Sequence, residues 1–148
     1  MLHCFAAGAI LMLLRASPVP TSVVNDSEFH WVGIGDGALR LLIGTDWRLA
    51  KAVSFESEIY TVENGRAQMF SVYLGNNPDL ASIPRKRYSA FKRGGANVME
   101  YSAGGKIVDI VLMPHCGHDR YAWAHRLSRS SEHEDLVARS MRSLGCAP

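Results

Sequence analysis

The stretch NVMEYSAGGKIVDIVLM, residues 97–113, decides the fold. At its centre Gly104 and Gly105 follow one another, and paired glycines supply the positive φ values that a tight hairpin turn requires. Residues 97–101 and 106–113 are therefore read as the two strands of a hairpin. In the second strand Ile107, Asp109, Val111 and Met113 alternate with Val108, Ile110 and Leu112. One face is wholly apolar and the other mixes three apolar residues with one carboxylate, which predicts a central position in a sheet.

Toward the C-terminus, Tyr121, Trp123, His125 and Leu127 alternate with Ala122, Ala124 and Arg126, a period of two that predicts a third strand. A helix follows. Ser131 and Glu134 have the spacing of a capping box, Glu132, Glu134 and Asp135 suit the positive end of a helix dipole, and Arg139 and Arg142 suit its negative end. Gly145 is placed to supply a left-handed cap. Leu136, Val137, Met141 and Leu144 form one apolar stripe, whose nearest partner in sequence is the hairpin.

Toward the N-terminus, Asn64-Gly65 between two alternating runs demands a type I′ turn. Its second strand covers residues 67–74 and stops before Gly75-Asn76-Asn77-Pro78, where proline removes a ladder donor. Its first belongs to an extended piece that begins at Trp47 and Leu49 and alternates through Tyr60. Residues 38–43 read as a further strand, with Trp31 to Gly37 as a turn leading into it. The glycines of that turn complete no phosphate-binding pattern, so no nucleotide site is expected. Residues 84–93 read as a short helix or a loop: Pro84 suits a first turn and Gly94-Gly95 a stop, but Arg85, Lys86 and Arg87 face the positive end of the dipole. These elements make an α+β domain, an antiparallel β-sheet built from hairpins and packed by a C-terminal amphipathic helix.

The composition, 47% hydrophobic and 20% charged over 148 residues, is that of one globular domain. Residues 4–14, CFAAGAILMLL, form an uncharged run as long as a signal-peptide core and well short of the roughly 20 residues of a membrane span. The expected organisation is a signal peptide over 1–16, an extended linker over 17–28 and a single domain over 29–148, exported to the periplasm or secreted, with no transmembrane anchor. Cleavage near Ala16 removes Cys4 and leaves Cys116 and Cys146, an even count that suits an oxidising compartment and a disulfide between them.

The net charge of +2 is too small for a nucleic-acid protein, although residues 17–79 carry −4 and residues 80–148 carry +5. The basic excess is local. Arg85, Lys86, Arg87, Lys92 and Arg93 lie within nine residues, with Tyr88 and Phe91 among them. In an exported protein this patch would meet an anionic envelope component, such as phospholipid headgroups or acidic glycans, or an acidic protein. The alternative is a solvated loop that keeps the surface soluble.

His115-Cys116-Gly117-His118 is a second candidate, because imidazole and thiolate are ligands for Zn or Cu. His115 and His118 would need His125 or His133 to approach four ligands, and a disulfide at Cys116 would withdraw the thiolate. A Cys/His hydrolase would need side chains brought together, which adjacency on an extended chain does not do. No cofactor is expected. His30 and His125 read as half-buried strand residues, and Asp46, Glu100 and Asp109 are scattered carboxylates that the sequence does not pair as acid and base.

The order of these elements, from an exported leader through antiparallel hairpins, Gly-Gly, Lys106 to Met113 and a final helix ending ARSMRSL, resembles the PsbP-like superfamily of small exported α+β domains. The similarity covers residues 38–144. It implies an antiparallel sheet flanked by helices and a binding or accessory role, and it carries over no functional residue. The sequence thus leads to an exported, non-enzymatic accessory or binding module of the cell envelope, with a metal-binding or hydrolytic protein using the turn at His115 to His118 as the alternative.

Overall fold

The computed structural model describes residues 28–76, 88–114 and 119–148. Among these are ten strands and one helix: β1 (Phe29–Ile34), β2 (Leu39–Gly44), β3 (Trp47–Val53), β4 (Ser57–Asn64), β5 (Ala67–Gly75), β6 (Tyr88–Arg93), β7 (Ala96–Ala103), β8 (Lys106–Leu112), β9 (Tyr121–Arg126), α1 (Glu134–Ser143) and β10 (Gly145–Cys146). The fold is α+β. Seven strands form one antiparallel sheet in the order β3-β4-β5-β9-β8-β7-β6, and three form a smaller one in the order β1-β2-β10.

Local turn chemistry builds two ladders, β3-β4-β5 and β6-β7-β8, and β9 joins them. Gly65 (φ 61), Gly94 and Gly95 (φ 55 and 83) and Gly104 and Gly105 (φ 58 and 75) hold the turns of three hairpins in the left-handed region. The strand expected over 121–127 then inserts between β5 and β8, pairing Val72 with Ala124 and Leu74 with Ala122 on one side, and Ile110 with Ala124 and Leu112 with Ala122 on the other. Ala122 and Ala124 are wholly buried and share one core with Val137 and Met141 of α1 and Leu39, Leu41 and Ile43 of β2. Two small residues in the middle of a sheet leave space above them, and helix and small sheet pack on that face.

Several expectations are corrected. Trp31 to Ile34 is strand, fully in register with β2 from Phe29↔Gly44 to Ile34↔Leu39, and only Gly35, Asp36 and Gly37 (φ 55, 57 and 82) make the turn. The extended piece from Trp47 is two strands. Its turn has no glycine or proline; the Ser54 amide donates to the Ser57 carbonyl (2.8 Å), the two serine hydroxyls bond at 2.6 Å, and Phe55 stands fully exposed at the tip. Residues 88–93 are neither helix nor loop but the strand β6, because Gly94-Gly95 closes a hairpin rather than stopping a helix, and all six residues pair with β7.

The helix also ends differently at both termini. His133 stands at the N-cap in the left-handed conformation, with no side-chain cap. The Glu134 carboxylate does not return to Ser131 but takes the Arg126 guanidinium in a bidentate pair at 2.9 and 2.7 Å. Gly145 is not a left-handed cap; it enters β10, opposite Arg40. The last carbonyls are capped instead by Arg93, which donates to Arg142 O and, at 2.5 Å, to Leu144 O. The apolar stripe is buried as expected, with Val137, Met141 and Leu144 fully covered and Leu136 partly so. Its partners are β2 and β5 as well as the hairpin strand β8.

The two sheets are also tied by a polar link. Gly35 N donates to Tyr60 Oη at 2.9 Å, Tyr60 donates to Glu58, and Glu58 pairs with Lys51 at 3.1 Å and Arg120 at 3.7 Å. The Tyr60 hydroxyl, and after it Lys51 and Arg120, hold the Glu58 carboxyl below its ordinary 4.5 against the opposing effect of burial. A carboxyl depressed in the folded state stabilises the fold above its unfolded value and withdraws that stability as pH falls through the folded one. The wild type should therefore lose melting temperature more steeply than Glu58→Gln below about pH 4.5. Parallel acid limbs in a thermal melt series would show that the link carries no folding energy.

Candidate functional site on the open sheet face

Side chains alternate across a strand, so the face of the large sheet turned away from α1 can be read directly from the register. Across five strands one row runs Met99, Val111, Trp123, Tyr73, Ile59. The next row, one pleat along, runs Tyr101, Asp109, His125, Ser71, Thr61. No strand or helix among the described residues packs over these rows; Ile59 at the edge is 42% exposed, whereas Val111 and Asp109 in the middle are covered and Tyr73, Met99, Trp123 and His125 are half-buried. An uncovered antiparallel face is ordinarily polar. Here an apolar and aromatic row lies beside a hydroxyl and imidazole row.

Two devices fix the rings. Asp109 is 5% exposed, and its Oδ1 accepts from Trp123 Nε1 at 2.8 Å and meets His125 Nδ1 at 2.6 Å. His125 is the direct cross-strand partner of Asp109 and Trp123 is the diagonal one, so a single carboxylate reaches both. A carboxylate only accepts, so Nδ1 carries the proton of this bond and Nε2 is the ring nitrogen left for another partner. The indole and imidazole meet edge to face at 5.6 Å. The second device is a glycine. Gly75 lies two residues beyond Tyr73 on the same face, and any Cβ there would collide with the phenol ring. The missing side chain lets Tyr73 lie along the sheet beside Trp123, its cross-strand partner.

At the β6 and β7 end the face hollows into a groove of about 470 Å³, lined by Tyr88, Ala90, Lys92, Asn97, Met99 and Met113. Its size is that of a small-ligand site, and thioether side chains make its floor adaptable. A hollow of about 570 Å³ lies where α1 begins, between Thr45, Asp46, Trp47, Asn64, His133 and Leu136. Its Asp46 and His133 are exposed and are not bonded to each other, so it has no organised chemistry.

Two residues of the basic patch, Lys92 and Arg93, lie among the described residues, and they point to opposite faces of β6. Lys92 is exposed on the open face and has no carboxylate partner among the described residues. Arg93, its neighbour, points the other way and caps α1, and burial and the nearby Arg142 pull its pKa down. Arg85, Lys86 and Arg87 lie outside the described residues, as do His115, Cys116 and His118. Cys146 lies in β10, opposite Leu39. His30 is exposed on β1, and Glu100 on β7 holds Arg142 of the helix in a bidentate pair at 3.1 and 2.7 Å. Among the described residues no three His, Cys, Asp or Glu side chains group to hold a metal ion, and no helix is long and apolar enough to cross a membrane.

Sequence reasoning missed the Asp109, Trp123 and His125 cluster, although it placed all three on strands. The parity of the two alternations was the available signal: Asp109 is the one charged residue on its face of β8, and Trp123 and His125 share a face of β9. Compared with known proteins, the chain matches no family model and no curated protein.

Proposed function

We propose that the protein is an exported, non-enzymatic binding module of the cell envelope that works through the open face of its seven-stranded sheet. The observation that carries this is the pair of positioned rings: Trp123 held by Asp109, and Tyr73 laid flat by the absence of a side chain at Gly75. Fixing aromatic side chains on an uncovered face does nothing for a core; it prepares a surface. Export is supported by the uncharged run over residues 4–14 and by the two cysteines left beyond it. An anionic envelope component as partner is supported by Lys92, an exposed cation on the same face with no carboxylate partner among the described residues. The PsbP-like resemblance belongs to the same proposal and rests on element order.

Cosedimentation of the purified mature chain with isolated envelope material tests the reading. The wild type should pellet, and Tyr73→Ala with Trp123→Ala should remain in solution at a ten-fold higher fraction. Release should be steeper in salt for wild type than for Lys92→Gln, because screening shortens to about 8 Å at physiological ionic strength. Equal pelleting by wild type and the double variant would end the assignment of this face.

A further inference from the structure

We propose that the open face takes an acidic glycan, with a sugar ring stacked on Tyr73 and Trp123 and a carboxylate further along the same chain at Lys92. This rests on the binding-face reading and adds the chemical class of the ligand.

The argument begins with the geometry of the two rings. The face of a pyranose that carries axial C–H bonds is apolar and packs on the negative face of an aromatic ring, whereas its rim of hydroxyls needs hydrogen-bonding partners in the same plane. Tyr73 and Trp123 are direct cross-strand partners, which sets the ring-bearing Cα atoms about 4.5 to 5.5 Å apart, the width of one sugar unit. Beside them, one pleat away, lie the His125 imidazole, whose Nε2 is left for another partner, and the Ser71 hydroxyl, its cross-strand partner. Aromatic surface flanked by a row of donors and acceptors matches a ring with an apolar face and a polar rim. An acyl chain would leave that polar row without partners.

The charge then selects among glycans. Three strand spacings separate β9 from β6, roughly 14 Å at 4.7–4.9 Å each, so a ligand stacked on Trp123 reaches the Lys92 groove after about three further sugar units. Along that path the half-buried Met99 offers apolar surface, Val111 between it and Trp123 being fully covered, and Asn97 and Tyr88 line the groove with an amide and a phenol. The one carboxylate in the middle of the face, Asp109, is turned inward to Trp123 and His125 and is 5% exposed, so it offers an anionic chain little repulsion. The cation at the far end has no carboxylate partner among the described residues. Charge complementarity therefore favours a uronate over a neutral chain.

Calorimetric titration of the full mature chain with a galacturonate hexamer, a glucose hexamer and phosphatidylglycerol vesicles tests this. The hexauronate should bind saturably, and at least ten-fold more tightly than the neutral hexamer. Trp123→Phe keeps an aromatic ring but loses the Asp109 bond, and it should weaken binding to both hexamers. Gly75→Ala should do the same by tipping Tyr73 out of the plane. Lys92→Gln, an exposed substitution that leaves the fold intact, should bring the hexauronate down to the affinity of the neutral chain. Saturable binding of vesicles alone, or of neither hexamer by a protein that still cosediments with envelope material, would overturn the glycan class and leave the binding face standing. Loss of cosedimentation as well would remove both.

Discussion

Arg126→Ala lowers the unfolding free energy by about 3–5 kcal/mol, the usual cost of removing one partner from a buried ion pair. The Arg126 side chain is 6% exposed, on the inner face of β9. Its Nε donates to Ile107 O at 2.6 Å and its two terminal nitrogens donate to Glu134 at 2.9 and 2.7 Å. One side chain thus ties β8, β9 and the first turn of α1 together. Glu134 also stands where the helix lacks a side-chain cap, so the guanidinium does part of the work that a capping residue does elsewhere. Its removal strands a carbonyl and leaves a carboxylate, 25% exposed, with only Lys106 at 3.9 Å. Arg126→Lys should recover less than half of the loss, because an ammonium cannot supply the planar fork that meets both carboxylate oxygens and the carbonyl. Glu134→Gln, which keeps an acceptor, should cost about 1–2 kcal/mol. Urea unfolding of the three variants measures all of this, and an Arg126→Ala midpoint within experimental error of the wild type would show that the cluster is structurally idle.

Arg126 also illustrates which parts of the fold can be read from a sequence. The turns at Gly65 and at Gly104-Gly105 are legible because glycine alone relieves the steric cost of positive φ, a purely local requirement. The first is nevertheless made by Gly65-Arg66 and not by the expected type I′ Asn64-Gly65: Asn64 has no positive φ and pairs with Ala67 as the last residue of β4. The turn at residues 54–56 is not, because two serine hydroxyls supply what glycine usually does and the alternation runs on across it. Tyr88 and Phe91, three apart before a double glycine, imitate a helix; pairing with β7 decides otherwise. In β1 the glycines break the apolar pattern that would have betrayed a strand, and β10, two residues long, has no pattern to break. The hairpins are therefore visible, whereas their union by β9 is a matter of long-range pairing. The site fails for the same reason. Asp109 and His125 meet only because β8 and β9 are neighbours in one particular register, and a one-residue slip would put them on opposite faces. Glu134 is instructive in the other direction: its spacing from Ser131 is that of a capping box, and a buried arginine eight residues earlier outcompetes the cap.

We propose a disulfide between Cys116 and Cys146 as the remaining large effect, about 3 to 4 kcal/mol for closing a loop of this length. Cys146 has its sulfur in disulfide form and sits in β10, where pairing with Leu39 and a 3.0 Å bond from Ala147 N to Ala38 O hold the end of the chain against β2. The assignment of Cys116 as its partner is ours. It rests on the two cysteines that remain beyond the leader read over residues 1–16. For a domain whose stability is typically about 5 to 15 kcal/mol, a bond of this strength is a large share. Reduction should therefore free β10 first, because two residues of pairing hold it, and then loosen the last turn of α1, whose carbonyls depend on Arg93. Hydrogen exchange before and after reduction should show protection lost at residues 141–147 while β7 and β8 are unchanged. Peptide mapping of unreduced, exported protein should recover the Cys116 and Cys146 peptides linked. Two alkylatable thiols in that material would remove the bond and with it the main chemical support for export, and a Cys4 to Cys146 link would show that the leader stays on the mature chain.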